Sequence, residues 1–177
     1  MADFTVRDAT PDDAAACAAI YEPYVTGTAI TFEEVAPTAA EMATRIIDAQ
    51  AAHAWLVLDD PDRGVIGYAY AGPFAKRAAY RWATEVSVYL HPAAGGRGGG
   101  RALYEALFPL LLRRGFRIAM ACMTLPNDAS VGLHRSFGFE TVATYPDVGW
   151  KLGAWHTTAW MQKRLAPADE GEPLELR

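Results

Sequence analysis

The chain has 177 residues, 51% of them hydrophobic and 21% charged, a balance that fits one packed domain and excludes a disordered or fibrous chain. Its formal net charge of −5 argues against a nucleic-acid backbone or an anionic membrane as the main ligand. No apolar run approaches the roughly 18 residues that span a bilayer, and Met1-Ala2-Asp3-Phe4 lacks the regions of a secretory signal, so a cytoplasmic location is expected.

Residues 4–7 alternate as a short strand. Thr10-Pro11-Asp12-Asp13 then supplies an N-cap, a proline at the first helical position and early acids, predicting a helix to about Tyr24. Thr38 and Glu41 have the spacing of a capping box ahead of Met42, Ile46 and Ile47, which predicts a second helix ending near Ala51. Residues 55–58 and 65–70 read as a hairpin around a turn-rich link, and 83–90 as a further strand. Ala102, Leu103, Ala106, Leu107 and Leu110 form one apolar helix face, which Arg113, Arg114 and Gly115 terminate. A strand over 118–123, a helix over 128–137 capped by Asn127, and strands over 139–145 and 155–161 complete the series. Residues 166–177 read as a loose acidic tail, leaving one domain over 1–165. Strand, two helices, three strands, helix, strand, helix and two strands predict a mixed α/β (α+β) domain around one sheet. Cys17 and Cys122 stand outside any metal-ligand spacing, so buried reduced thiols and no metal are expected.

Gly95-Gly96-Arg97-Gly98-Gly99-Gly100-Arg101 lies between a strand and a helix, where backbone N–H groups and the positive helix end can receive a phosphate. The stretch spells neither a P-loop nor the dinucleotide fingerprint, which disfavours ATP and NAD. A flexible turn is the bland alternative.

With these residues in view, the chain resembles the GNAT superfamily of acyl-CoA-dependent N-acetyltransferases from Thr5 to about Gln162. The family's pyrophosphate loop, Gln/Arg-x-x-Gly-x-Gly/Ala, aligns with 95–100; the two downstream glycines match and Gly95 departs from the leading Gln/Arg. Asn127, His134, Gly138 and Phe139 match a second feature, with histidine in place of the usual tyrosine. The phosphinothricin N-acetyltransferase branch is the most similar, through Ile20-Tyr21, Thr31-Phe32-Glu33, Ala69-Tyr70-Ala71-Gly72-Pro73, Arg77, Ala79-Tyr80, Trp82, Glu85, Val88-Tyr89, Leu125-Pro126-Asn127-Asp128, Leu133-His134 and Gly153-x-Trp155-His156.

The resemblance implies a GNAT-like single domain with a mostly antiparallel twisted sheet and about four flanking helices. It implies acetyl-CoA as cosubstrate and Glu85 and His134 as the catalytic pair. Val88, Tyr89 and Leu90 are implied along the pantetheine arm, and Gly96, Arg97, Gly98, Gly99, Gly100 and Arg101 at the pyrophosphate, Arg97 taking over part of the missing Gln/Arg role. Asn127 either reaches the pantetheine or caps its own helix, and Ser136 is a further cofactor candidate. Phe32, Tyr70 and Tyr80 are implied on the acceptor side, and a homodimer would bring Gly153, Trp155 and His156 to the site wall. Methionine sulfoximine, methionine sulfone and general L-amino-acid acetyltransferases are the neighbouring branches.

The residues themselves support part of this. Amine acetylation needs a base, since an ammonium has no lone pair. Partial burial among Ala83, Val86 and Val88 would raise the pKa of Glu85 towards such a role, the bland alternative being a strand acid paired with Arg81. His134 titrates near neutrality when unperturbed, or simply packs on its helix. Lys76, Arg77 and Arg81 make a local basic patch suited to a carboxylate or phosphinate. Rival readings are an acyl-cysteine route through Cys122 with His134, and a non-catalytic acyl-CoA-binding protein.

Overall fold

The computed structural model describes residues 4–94, 96–167, 171, 173, 175 and 176. Gly95, the leading loop position, and residues 168–170, 172, 174 and 177 of the expected tail lie outside the described residues. In chain order the elements are β1 (Thr5–Asp8), α1 (Ala14–Gly27), α2 (Ala39–Ala52), β2 (Ala54–Asp60), β3 (Gly64–Pro73), β4 (Ala83–Leu90), α3 (Gly99–Arg113), β5 (Ile118–Thr124), α4 (Asp128–Ser136), β6 (Glu140–Lys151) and β7 (Ala154–Arg164).

The strands form one sheet in the order β1-β2-β3-β4-β5-β7-β6. Neighbours are antiparallel except β4 and β5, which run parallel. This is the expected mostly antiparallel sheet. Side chains alternate across it, so β2 sends Trp55 and Val57 to one face and Leu56 and Leu58 to the other. The first face is covered by Ile20, Tyr21 and Val25 of α1 and by Met42 and Ile46 of α2. The second is covered by α3.

Local signals explain the helix starts. Thr38 Oγ1 accepts from the Glu41 amide at 3.2 Å while the Glu41 carboxylate accepts from the Thr38 amide at 2.8 Å, closing the capping box. Asp13 accepts two guanidinium N–H bonds from Arg7, each 2.8 Å, tying the start of α1 to β1. That helix continues through Pro23 to Gly27, past the expected end at Tyr24, because Val25 is buried against the sheet and the packing outweighs the lost N–H.

Three further expectations are corrected. The α3 face is rotated: Leu103, Tyr104, Leu107, Phe108 and Leu111 are its buried residues, whereas Ala102, Ala106 and Leu110 are only partly covered. β6 runs to Lys151 and turns through Leu152 and Gly153, both left-handed at φ 52° and 77°. Cys17 is buried but Cys122 is exposed. Among the described residues, no helix is long and apolar enough to cross a membrane.

Candidate active site

The site begins where β4 and β5 part. Their ladder covers only Ala83–Glu85 against Ile118–Met120, after which β4 pairs with β3 alone and β5 with β7. The β5-facing edge of β4 beyond Glu85 is therefore unpaired backbone, which an extended ligand can use as a strand would. A cavity of about 310 Å³ borders this edge and is lined by Val88, Tyr89, Leu90, Gly96, Gly100 and Asn127, six of the residues expected at the cofactor. Tyr24 and Ser130 also line it; the sequence reading missed both, although the Tyr24 hydroxyl donates to the Leu90 carbonyl at 2.6 Å.

The glycines at the head of α3 have separate causes. Gly98, the N-cap, has φ 84°, a conformation that L side chains rarely adopt. At Gly99 a Cβ would stand 2.6 Å from Leu58 Cδ2, so its absence lets the helix approach the sheet. The first-turn amides of α3 are unpaired within the helix and carry its positive end. Asn127 caps α4, its Oδ1 accepting from the Ser130 amide at 3.1 Å, and it lines the cavity as well.

Two loop side chains have partners within the protein. Arg97 pairs with Asp60 at 3.2 Å and lies over the Phe4 ring, and it is not among the residues that line the cavity. Arg101 bonds Ser136 Oγ at 3.1 Å and stacks near Phe137, joining α3 to α4 at the surface.

Glu85 is half-buried on the α1/α2 side of the sheet, and burial holds its carboxyl above the usual range. It forms no ion pair with Arg81, whose guanidinium lies 3.5 Å over the Trp82 ring. Tyr70 is stacked on Trp55; burial raises its hydroxyl pKa, with Ser87 opposing and Glu85 adding to the shift. Cys122 belongs to the same neighbourhood: although the residue is exposed, partial desolvation of its sulfur, then the Glu85 charge, push its thiol up to about 11. A raised thiol pKa lowers the fraction of thiolate, which counts against the acyl-cysteine route.

His134 is 4% exposed. Its Nδ1 lies 2.8 Å from the Ser130 carbonyl, which requires the proton on Nδ1; Nε2, 3.0 Å from Tyr104 Oη, then accepts from the hydroxyl. Burial lowers its pKa, opposed by the Ser130 bond, favouring the neutral ring. Both nitrogens are thus engaged, and among the described residues no direct hydrogen bond joins His134 to Glu85. Tyr104, His134, Ser87 and Cys122 instead line a common cavity of about 50 Å³, large enough for a bridging water. Tyr104, absent from the sequence expectations, is fully buried, and burial raises its hydroxyl pKa strongly.

On the acceptor side, Phe32 is 40% exposed and its ring covers Gly149 of β6, where any Cβ would collide with it. It also faces His156 at a centroid distance of 6.3 Å. Tyr80 packs edge-on against Phe74, in the loop that carries Lys76 and Arg77, both without a salt bridge among the described residues. Among the described residues, no group of three or more His, Cys, Asp or Glu could hold a metal.

A thioester donor with a long amide-bearing arm and a terminal pyrophosphate needs backbone to pair along the arm and N–H donors at its end. Both stand at one opening here, and the class this defines is that of acyl-coenzyme A-dependent transferases. The chain belongs to the GNAT acetyltransferase family, whose domain matches residues 6–160. It is 39% identical to the phosphinothricin N-acetyltransferase of Alcaligenes faecalis over 96% of this chain and 86% of that one. It is 36% identical to the L-methionine sulfoximine/L-methionine sulfone acetyltransferase of Salmonella typhimurium, covering 91% and 94% of the two chains. The crystal structure of a phosphinothricin acetyltransferase from Sinorhizobium meliloti in complex with acetyl-CoA superposes with a TM-score of 0.93 at 38% identity, over 99% of this chain and 95% of that one. The protein is an acetyl-CoA-dependent N-acetyltransferase.

Proposed function

We propose that the protein acetylates the α-amine of a small amino acid of the phosphinothricin or methionine sulfoximine/sulfone kind, by direct transfer with both substrates bound. When bound, acetyl-CoA supplies an activated thioester carbonyl. The observation that carries the reading is the place of Glu85: its burial-raised carboxylate stands at the last residue before the edge of β4 opens, beside the opening lined by Val88, Tyr89 and Leu90.

Glu85 takes the amine proton, directly or through water, and its raised pKa brings it closer to the working range of a base. His134 acts through Tyr104: the hydroxyl takes a proton from a water in the shared cavity as it passes its own to Nε2, and the reverse path returns a proton to the coenzyme A thiolate as it leaves. A backbone N–H on the open edge of β4 polarises the carbonyl. Gly96, Gly98, Gly99 and Gly100, with the amides at the start of α3, receive the pyrophosphate, flanked by Arg101 and Ser136. Lys76 and Arg77 hold the acceptor carboxylate, and Phe32, Tyr70 and Tyr80 wall its site.

The same reading includes a cytoplasmic homodimer. β6 is an edge strand, and the β6–β7 hairpin exposes Val148, Trp150, Leu152 and Trp155, an apolar surface of the kind that a second copy covers.

Ranking phosphinothricin, methionine sulfoximine, methionine sulfone and common amino acids by kcat/KM, with product mass identifying N-acetylation, tests the reading. One of the first three should lead over the aliphatic and charged common amino acids. Equal rates across common amino acids would favour a general amino-acid acetyltransferase, and binding of acetyl-CoA without product would leave only an acyl-CoA-binding protein.

A further inference from the structure

A further cavity, of about 420 Å³, lies between α2 and the β2–β3 hairpin, and of its lining the chemistry above uses only Tyr70. This volume is in the range of ligand pockets, and an apolar cavity of only about 150 Å³ already admits benzene. One wall is aromatic: Trp55 stacks on Tyr70 at 4.6 Å and on Tyr68 at 5.1 Å. Met42, Ala49 and Ala52 of α2 form the other, and the small size of the two alanines is what keeps the space open.

Its charges are unsuited to an anion. Arg45 is held by Glu33 through bonds of 2.7 and 2.9 Å. Asp48 is an exposed acid in the lining, and burial, with the neighbouring Arg114, lowers the pKa of His53. An acidic side chain would find Arg45, the arginine of the lining, already paired and a carboxylate nearby. An uncharged ring meets neither obstacle and gains the stacking wall.

Gly72 connects this cavity to the reaction site. It lines the cavity, and a Cβ built on it would meet nothing within 4 Å. Its register partner on β4 is Glu85, and directly opposed residues project to the same face about 5 Å apart. The Tyr68–Tyr89 pair of the same ladder keeps that relation, its rings 5.6 Å apart on the α1/α2 side. No side chain at position 72 stands between the Glu85 carboxylate and the cavity.

We infer that this cavity is the side-chain compartment of the acceptor site, and that it selects amino acids carrying an uncharged aromatic ring a few bonds from the α-carbon. The inference rests on the acetyltransfer reading and deepens it: the α-amine stays at Glu85 while the ring passes over Gly72 to lie between the Trp55–Tyr70 wall and α2. Phosphinothricin, with its anionic tail, is then an accepted but not a preferred acceptor.

The experiment compares kcat/KM for L-homophenylalanine and L-2-aminobutyrate, which share the α-amine and carboxylate, in the wild-type protein and in Ala49→Phe and Ala52→Phe. The wild type should favour homophenylalanine on the order of 10- to 100-fold, the range for burying one ring. Either substitution should remove most of that preference and change the aminobutyrate value less than about twofold. Acetylation of aminobutyrate without a preference for homophenylalanine overturns the compartment and leaves the acetyltransfer reading intact; this ratio needs no variant, so it decides even if a variant fails to fold. A preference that survives both substitutions in folded protein overturns it equally. Acetylation of no amino acid at all refutes the reading on which it rests.

Discussion

Replacing Tyr104 by Phe removes one oxygen from a site with no exposure to solvent and leaves the ring packing in place. The lost bond, 3.0 Å from Tyr104 Oη to His134 Nε2, leaves a buried ring nitrogen without a donor. Leaving a buried polar atom unsatisfied costs about 1–3 kcal/mol, which for a chain of this length lowers Tm by about 2–12 °C. The electrostatic consequence has a definite sign. In the neutral tautomer fixed by the Ser130 carbonyl, 2.8 Å from Nδ1, the Tyr104 bond stabilises only the uncharged ring, so its removal raises the pKa of His134. Thermal unfolding followed by circular dichroism gives the first quantity, and the NMR titration of His134 the second. With the relay broken, kcat should also fall while acetyl-CoA affinity holds. A Tyr104→Phe protein with wild-type Tm and an unmoved His134 titration would show that the buried pair does not exist as described.

Other outcomes follow from particular contacts. Arg7 holds the Asp13 carboxyl below the usual range, against the opposing effect of burial, so this group contributes stability above its unfolded pKa and loses it as pH falls through the depressed folded value. Asp13→Asn should cost about 1.5–3 kcal/mol at pH 7 in urea titrations, and the deficit should shrink in acid. Gly98→Val forces a β-branched residue to φ 84°; stability should fall by at least about 1–2 kcal/mol, and the Kd for acetyl-CoA measured by calorimetry should rise. Trp155→Glu on the exposed hairpin should convert a dimer to monomers in sedimentation velocity, and an unchanged sedimentation coefficient would remove this surface from the interface.

The sequence exposed those parts of the site that are contiguous in the chain. Gly96 and Gly98 carry backbone requirements that few residue types meet, and Gly96, Gly100 and Asn127 line the opening beside β4. Features that depend on where a side chain turns were not legible. Arg97 belongs to the loop by position yet bonds Asp60 on β2, a contact set by the sheet rather than by its neighbours. Tyr104 was hidden in the helical periodicity: one apolar stripe was read a position too early, and only the buried rows of Leu103, Leu107 and Leu111 and of Tyr104 and Phe108 place its hydroxyl under His134. The nearness of Glu85 and Cys122 comes from the parallel β4–β5 register, and no local pattern reports it. The end of β6 was missed because the first turn position is Leu152, a residue type that rarely takes a left-handed conformation, so that Gly153 alone marked the turn. The cavity beneath α2 is built largely by what is missing, at Ala49, Ala52, Ala71 and Gly72, and small residues that are distant in sequence leave no signature.

In the proposed reaction the Glu85 carboxylate removes the proton from the acceptor amine. Glu85→Gln keeps the shape and removes the base, so the decisive measurement is the single-turnover rate of the wild type and this variant with saturating acetyl-CoA and the best acceptor, alongside acetyl-CoA affinity by calorimetry. The expected result is a rate lowered by about 10²–10⁴ with acetyl-CoA affinity within about twofold of wild type. A glutamine variant that transfers acetyl at the wild-type rate would contradict the claim outright.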